Sequence, residues 1–266
     1  MIHERLSLAD QTMIASYAEH IQRYEFALLH CRGKRVLDAG CGTGYGAHFL
    51  AANGAASVLA VDISDAALTE ARQYYLLPNL EYQKGDVEKL DQDPTLRGRF
   101  DVVVNFENLE HVPHPDRLIK GAATVLAANS GKYITSTPNG AISDRDENGK
   151  PKNVFHVEEY TLDQLHALVA PHFSQRSVYG QWLTHSGRLR KLRARELFDQ
   201  LCEAYYNPMS RLGRLIKRIG GRTVLAPPQF TAGQDHYPGD HLIGPIDNGR
   251  FQWPPEVLIA VCEHAT

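Results

Sequence analysis

The fold is decided by residues 36–46, which read VLDAGCGTGYG. The first four residues are apolar apart from Asp38, as in a short strand that is buried on both faces. The glycines that follow permit backbone angles, and a close approach of a ligand, that larger residues prevent. The stretch therefore predicts a strand that runs into a glycine-rich turn and then a helix, with an acid at the end of the strand.

Outward from this turn, apolar strands alternate with helical patterns. The predicted strands cover 35–39, 57–62, 80–84, 100–105, 132–137, 173–181 and 256–262. The predicted helices cover 7–31, 47–53, 64–75, 116–127 and 161–169. This alternation is typical of a parallel sheet with helices on both faces, so we predict the α/β fold class.

The composition indicates a folded enzyme-sized chain. It has 266 residues, of which 43% are hydrophobic and 22% charged, and this balance excludes a disordered chain. No apolar run reaches the roughly 18–20 residues of a membrane span, and the N-terminus lacks the plan of a signal peptide. The four cysteines are too scattered for a disulfide framework. We therefore expect a reduced, cytoplasmic protein.

Charge is distributed unevenly along the chain. The net charge is -3, yet residues 187–222 hold ten basic and three acidic residues, a net +7 that leaves -10 for the rest. Such a block is usually the solvated face of helices, but it also suits a phosphate-bearing acceptor. Because no nucleic-acid-binding module is recognisable, nucleic acid is not an expected partner.

Three acids lie at or just after the ends of the first three strands, and they indicate which polar groups a ligand would have. Asp38 would repel a pyrophosphate, so it disfavours a dinucleotide and suits a positive amino group. Asp62, at the end of the second strand, can accept hydrogen bonds from a ribose diol. Asp86, after the third strand, can accept one from an exocyclic amine.

These residues together resemble the class I S-adenosylmethionine-dependent methyltransferases, from Val36 to about Gln181 and in the last strand. The resemblance implies a Rossmann-like, seven-stranded sheet and S-adenosylmethionine as the methyl donor. An NAD-binding Rossmann protein is the alternative, which the glycine spacing and Asp38 disfavour. The implied donor-binding residues are Asp38, Gly40, Gly42, Gly44, Asp62, Ile63, Asp86, Val87, Asn105 and Phe106.

The long stretch before the last strand is interpreted as an insertion. Residues 1–181 and 256–266 would form the donor-binding core, and residues 182–255 would cover the active site and shape the acceptor pocket. A homodimer is compatible with this plan, but the sequence leaves the oligomeric state open.

Candidate catalytic residues cluster after the fourth strand and before the helix that starts near Thr161. A hydroxyl acceptor must lose a proton, and histidine titrates near neutrality. His111 is our first candidate for the base and His156 the second, with Glu110 or Glu159 orienting the ring. The alternative is that His111 only caps the following loop and that Glu110 only bonds the backbone.

A divalent metal ion, Mg²⁺ or Mn²⁺, is the other chemistry that these residues allow. Two carboxylates and two imidazoles can form a metal shell, here Glu107, Glu110, His111 and His156. The E-x-x-E-H pattern is similar to the metal site of the small-RNA terminal 2′-O-methyltransferases. A metal would lower the pKa of a bound hydroxyl.

A second resemblance runs longer through the chain. The segments Glu107–Val112, Ser136–Asn139 and Phe155–Tyr160 are similar to bacterial methyltransferases of glycans and glycosylated natural products. We therefore predict an O-methyltransferase that acts on a hydroxyl of a sugar, glycan or glycosylated small molecule. The alternatives are an RNA terminal 2′-O-methyltransferase and a non-catalytic protein that only binds the cofactor.

Overall fold

The computed structural model describes residues 14–128, 130–183, 241–246 and 254–265. The helices are α1 (Ile14–Cys31), α2 (Tyr45–Ala52), α3 (Asp65–Tyr74), α4 (Pro115–Val125) and α5 (Leu162–Val169). The strands are β1 (Arg35–Ala39), β2 (Ser57–Asp62), β3 (Leu80–Lys84), β4 (Val102–Phe106), β5 (Lys132–Pro138), β6 (Phe173–Leu183), β7 (His241–Pro245) and β8 (Val257–Ala265). Short 3₁₀ helices cover Val87–Gln92 and Leu109–His111.

All strands lie in one sheet with the order β3-β2-β1-β4-β5-β8-β6-β7. The neighbours from β3 to β5 pair in parallel, and β8 runs antiparallel to both β5 and β6. The strand order reverses between β1 and β4. In an open α/β sheet, the crevice at the carboxyl ends of such strands is where ligands bind.

The α/β fold predicted from the sequence is confirmed, with two differences. The sheet has eight strands rather than seven, because β7 lies inside the stretch interpreted as an insertion. The sheet is also mixed rather than parallel, because β8 inserts in reverse between β5 and β6. Alternating hydrophobicity gives no strand direction, so the sequence could not distinguish the two arrangements.

The core lies in two layers, one on each face of the sheet. Alternate residues of the central strands enter opposite layers, as Val102 and Val103 do. One layer packs against α1, α2 and α3, and the other packs against α4 and α5. Two helices begin with side-chain caps: Ser64 accepts from Ala67 N–H, and Thr161 forms a capping box with Gln164.

Other predictions fall outside the described residues. They are the start of the first helix at 7–13, the basic segment 187–222 and most of the insertion 182–255. In the described parts of the chain, no helix has both the length and the apolar character needed to cross a membrane. The site described next lies within the compact unit that includes His20–Trp182.

Candidate active site

The turn between β1 and α2 is shaped by glycines in the left-handed region. Gly40, Gly42 and Gly44 have φ angles of 83°, 54° and 86°, which cost other residues about 1–2 kcal/mol. A Cβ at Gly44 would lie 2.7 Å from both Ala71 Cβ and the Tyr82 hydroxyl, whereas a Cβ at Gly42 would meet nothing within 4 Å. Packing therefore requires Gly44, and Gly42 leaves the backbone open to a ligand.

Asp38 lies at the end of β1 and is completely buried. The Tyr24 hydroxyl contacts its two carboxyl oxygens at 3.3 and 3.2 Å. Burial raises the pKa of Asp38 to about 7; the Tyr24 hydrogen bond opposes this shift and the Asp62 charge adds to it. An adjacent positive group would stabilise the charged form of Asp38, as the sequence-based interpretation requires.

Asp62 connects the end of β2 to the glycine turn. Its two oxygens accept backbone N–H groups, from Gly42 at 2.9 Å and from Ser64 at 2.8 Å. These two bonds fix the turn against the end of β2, and the binding of a ribose hydroxyl by Asp62 stays a prediction. The next side chain, Ile63, is 59% exposed, which suits the packing of an apolar ring.

Asp86 begins the 3₁₀ helix after β3. It accepts from Glu88 N–H at 3.0 Å and pairs with Lys89 Nζ at 2.9 Å. The hydrogen bond from Lys89 holds the pKa of Asp86 below its usual value, so the group is an ionised acceptor. Val87 is buried in the core. The roles of both residues in donor binding stay predictions.

Asn105 and Phe106, at the end of β4, are held by protein contacts. The Asn105 amide donates to the Ala39 carbonyl at 2.7 Å, and its oxygen accepts from the Tyr133 hydroxyl at 3.2 Å. The ring of Phe106 packs edge-on against Tyr24, with centroids 5.0 Å apart. Both residues are thus fixed at the end of β4, and direct contact of either with a donor stays a prediction.

Neighbouring residues of β5 separate the two acids of the 107–111 motif. Ser136 Oγ donates to Glu107 Oε1 at 2.8 Å, and Thr137 Oγ1 donates to Glu110 Oε2 at 3.0 Å. Successive side chains of a strand point to opposite faces of a sheet. Glu107 and Glu110 therefore approach the carboxyl edge from opposite sides.

Glu107 is positioned by two further contacts. Its backbone is in the left-handed region, with φ 47°, and its N–H donates to the Ser136 carbonyl at 3.2 Å. Arg23 of α1 lies with Nη2 4.0 Å from Glu107 Oε2. Arg23 is only 1% exposed, and its Nη1 donates to Gln181 Oε1 at 2.6 Å. A strained backbone position at a carboxyl strand end is characteristic of functional sites.

Glu110 lies at the other side of this edge and is 1% exposed. Burial, and then the nearby Glu107 carboxylate, raise the pKa of Glu110 well above its usual value. Its backbone carbonyl accepts the N–H of Val157 at 2.6 Å. This bond attaches the 153–160 segment to the motif and brings His156 to His111.

Hydrogen bonds assign the proton-bearing nitrogen of each histidine. His111 Nδ1 contacts the Phe155 carbonyl at 3.0 Å, and because a carbonyl only accepts, Nδ1 carries the hydrogen. His156 Nδ1 contacts Glu159 Oε1 at 2.5 Å. The amide of Asn153 faces His156 Nε2 at 3.0 Å, which makes Nε2 the acceptor and Nδ1 the donor. Both rings therefore have their lone pair on Nε2.

Three of the predicted metal ligands form one cluster. One ligand atom from each of Glu110, His111 and His156 lies within 4.8 Å of the others, and the two ring centroids are 4.9 Å apart. Metal-bound histidines usually donate their other N–H to a carboxylate or a carbonyl, as both do here. This group does not include Glu107, which instead lies with Ser136 and Arg23.

Comparison with known proteins identifies the family of this chain. Residues 36–129 match the model of a methyltransferase domain family. A ubiquinone biosynthesis O-methyltransferase of Marinobacter nauticus is 30% identical over 192 residues, which cover 69% of this chain and 72% of that protein. The chain belongs to the class I S-adenosylmethionine-dependent methyltransferases.

One further relative supports this assignment, and one solved structure shares the fold. A probable S-adenosylmethionine-dependent methyltransferase of Mycobacterium tuberculosis is 34% identical over 180 residues, 67% of this chain. The aligned part of the chain spans 62% of the length of that relative. The crystal structure of an S-adenosylmethionine-dependent methyltransferase from Mesorhizobium loti shares the fold, with a TM-score of 0.53, 19% identity, and coverage of 69% of this chain and 94% of that one.

The glycine turn of this methyltransferase fits S-adenosylmethionine, the donor that family membership implies. The open side of Gly42 leaves space for a ligand against the backbone. Asp38 and Asp62 supply acceptors at the ends of adjacent strands, and the exposed Ile63 supplies an apolar surface. The residues predicted from the sequence thus meet at one edge of the sheet.

Sequence motifs missed three polar residues of the methyltransferase site. Arg23 and Gln181 lie outside the strand-end motifs, and Asn153 precedes the His156 segment. The helix predicted over 7–31 has an apolar stripe that includes Tyr24. Arg23 adjoins this stripe, and an arginine that borders a buried helix face was the one available signal.

Proposed function

We propose that this methyltransferase acts on a hydroxyl group, and that the acceptor is a sugar, a glycan or a glycosylated small molecule. The observation that carries O-methylation is the cluster of Glu110, His111 and His156, in which the Phe155 carbonyl holds the Nδ1–H of His111 and the lone pair of that ring is on Nε2. The name of the Marinobacter relative, an O-methyltransferase, supports the reaction. The sugar acceptor rests on the similarity of segments 107–112, 136–139 and 155–160 to glycan methyltransferases.

His111 and His156 have different roles in the proposed transfer of the methyl group to a hydroxyl oxygen. A bound donor would supply a methyl group activated by a positively charged sulfur, and that sulfur would leave with the electron pair of its bond to the methyl carbon. His111 Nε2 takes the hydroxyl proton, and the Phe155 carbonyl holds its ring. His156, held by Glu159, positions the same hydroxyl. Since the donor is already activated, positioning supplies much of the rate.

The same cluster also fits a divalent cation. Glu110, His111 and His156 would hold it, with Glu159 and the Phe155 carbonyl orienting the rings. A bound Mg²⁺ or Mn²⁺ would lower the pKa of a coordinated hydroxyl. Vicinal diols, as on sugars or RNA ends, would then be the preferred acceptors.

Domain roles follow from this proposal. Residues 182–255 would cover the cluster and select the acceptor, and the basic segment 187–222 would attract a phosphate-bearing one, such as a nucleotide sugar. Both segments lie largely outside the described residues.

Acceptor-dependent formation of S-adenosylhomocysteine tests the proposal. We would screen nucleotide sugars, glycosylated phenols and an RNA with a free terminal ribose. With an active acceptor, His111→Ala should lower kcat by about 10²–10⁴-fold, the usual contribution of a general base. His166→Ala, on α5, is the matched control and should keep full activity. Full turnover in both His111→Ala and His156→Ala would contradict the catalytic role of the cluster. Turnover with RNA and with no sugar substrate would contradict the proposal of a sugar acceptor.

A further inference from the structure

Exposed apolar side chains are concentrated on the segment that joins β5 to α5 and carries His156. They are Ile142, Val154, Phe155 and Val157, with exposed fractions of 45%, 88%, 43% and 54%. The other large apolar side chains that are exposed in the described part of the chain are spread over α1, α3 and the loops after β2 and α3. Single exposed apolar residues are normal on a protein surface, whereas a group of them marks a place where another apolar group binds.

Val154 and Phe155 form the tip of a β-turn. His156 N–H donates to the Asn153 carbonyl at 3.0 Å, and Asn153 Oδ1 accepts the N–H of Phe155 at 3.1 Å. Asn153 therefore supplies the bonds that close the turn. Because turn tips usually carry glycine, proline, asparagine, aspartate or serine, the geometry of the turn gives no reason for a Val–Phe pair. Contact with an apolar group outside the turn accounts for both side chains.

The backbone of this turn is bonded to the histidine cluster. The Phe155 carbonyl accepts from His111 Nδ1 at 3.0 Å, and Val157 N–H donates to the Glu110 carbonyl at 2.6 Å. A hydroxyl at His111 Nε2 is therefore separated from the Phe155 carbonyl only by the imidazole ring. The part of an acceptor that adjoins this hydroxyl lies beside the turn, and residues 153–157 include no acidic residue, lysine or arginine.

We propose that Val154, Phe155 and Val157 bind an apolar group of the acceptor, an alkyl or aryl aglycone attached to the sugar that is methylated. This inference rests on the proposed function, and among its acceptor types it selects the glycosylated small molecule. A free sugar has no group that would cover these side chains. Removal of apolar surface from water supplies the free energy, with a gain in affinity of about fourfold for each buried methylene.

Calorimetry with a chain-length series tests the proposal without turnover. The full chain, saturated with S-adenosylhomocysteine, is titrated with methyl, butyl and hexyl β-glucoside as probes. Butyl glucoside should bind roughly 10- to 60-fold more tightly than methyl glucoside, because it adds three methylenes. Equal affinity for all three probes, or no binding of hexyl glucoside, would overturn the proposal.

A variant of the most exposed of these side chains locates the apolar group. Val154→Ser should weaken hexyl glucoside by about 3- to 10-fold and leave methyl glucoside unaffected. Leu76→Ser, in the loop after α3, is the matched control because Leu76 is 70% exposed, and it should match the wild type. Equal weakening of both probes in Val154→Ser would indicate a distorted turn, and the proposal would then fail.

Three further measurements on Val154→Ser identify any other occupant of the surface. A lower Tm would show that Val154 packs against another part of this chain. Conversion of a dimer to a monomer in sedimentation would assign the surface to a second copy. Loss of binding to phosphatidylcholine vesicles would assign it to a lipid bilayer. Each of these results, together with an unchanged affinity for hexyl glucoside, would overturn the proposal.

Failure of this proposal is distinguishable from failure of the proposed function. Binding is measured without a methyl donor, so it does not depend on the hydroxyl chemistry. Binding that depends on chain length, with no methylation of any glycoside, would retain the apolar site and contradict the sugar acceptor. Methylation of a sugar with no effect of chain length on binding would retain the proposed function and contradict the apolar site.

Discussion

Asp38 couples the donor site to protein stability at the scale of one residue. Burial raises its pKa in the folded chain to about 7, against roughly 3.9 in an unfolded chain. Between these values the folded state binds the extra proton, so this contribution is complete below about pH 4 and is lost as pH rises through 7.

Asp38→Asn should therefore become more stable relative to the wild type as pH rises. We expect the difference in Tm between variant and wild type to grow from pH 4.5 to pH 8. Asp101→Asn is the control, because hydrogen bonding to Arg35 lowers the pKa of Asp101 and its contribution is lost only as pH falls below about 4. A Tm difference for Asp38→Asn that does not change with pH would contradict the assignment.

Substitutions at two glycines distinguish the effect of backbone strain from the effect of ligand contact. Gly42 and Gly33 both have left-handed φ angles, 54° and 69°, and a Cβ at either would meet no atom within 4 Å. Gly42→Ala and Gly33→Ala should each lower the free energy of unfolding by about 1 kcal/mol. Only Gly42→Ala should also weaken S-adenosylhomocysteine binding, by roughly tenfold or more, because its methyl group enters the ligand space. Thermal melts and calorimetry measure the two effects, and intact binding by Gly42→Ala would exclude this place for the donor.

Strand β5 illustrates how one element serves two functions. Ser136 and Thr137 are adjacent, point to opposite faces, and bond Glu107 and Glu110 respectively. Thr137→Val should lower kcat and leave the affinity for S-adenosylhomocysteine unchanged. Ser136→Ala should do the reverse, because it loosens Glu107 beside the glycine turn. Steady-state kinetics measure kcat for both variants, and calorimetry measures their affinity for S-adenosylhomocysteine. If both variants change only kcat, or only the affinity, the two residues do not have separate roles.

The strands differ in how closely their bounds could be predicted from the sequence. Strands β2 and β3 were predicted with their observed bounds for different reasons. Strand β2 is a continuous apolar run, as in a buried parallel strand, whereas in β3 Leu80 and Tyr82 alternate with polar residues. The fourth strand begins two residues later than predicted, since Phe100 pairs with Leu126 outside it. β7 was missed, because its five residues lie in a glycine- and proline-rich stretch where no periodicity marks a strand.

The sequence predicts only those residues of the candidate site that belong to a local pattern. Strand-end acids and glycines are local signals, so Asp38, Asp62 and the 107–111 motif were found. Arg23 and Gln181 are 158 positions apart and meet only through the fold. No local pattern predicts such a contact.

At the scale of the whole molecule, the sheet divides the four predicted metal ligands. Glu110, His111 and His156 gather on one side, and Glu107 is bonded to Ser136 on the other. The buried Glu110 is therefore the only carboxylate in the three-residue cluster. A divalent cation would offset the cost of burying its charge. The Nε2 atoms of both histidines would complete its ligands, and His156 Nε2 would then give up its hydrogen bond from Asn153.

Metal titration tests whether Glu107 is separate from the cluster. The metal-free protein is saturated with S-adenosylhomocysteine and titrated with Mn²⁺ and then with Mg²⁺. We expect one site, which is lost in Glu110→Gln and in His156→Gln. Glu107→Gln should retain it, because its carboxylate lies with Arg23 rather than in the cluster, and His166→Gln is the control for the histidine change. Loss of the site in Glu107→Gln would instead support the four-ligand set predicted from the sequence, which requires Glu107 to leave Ser136 when the metal binds. No binding by the wild type would contradict the metal site and leave proton transfer to His111, whose Nδ1–H is already held by the Phe155 carbonyl.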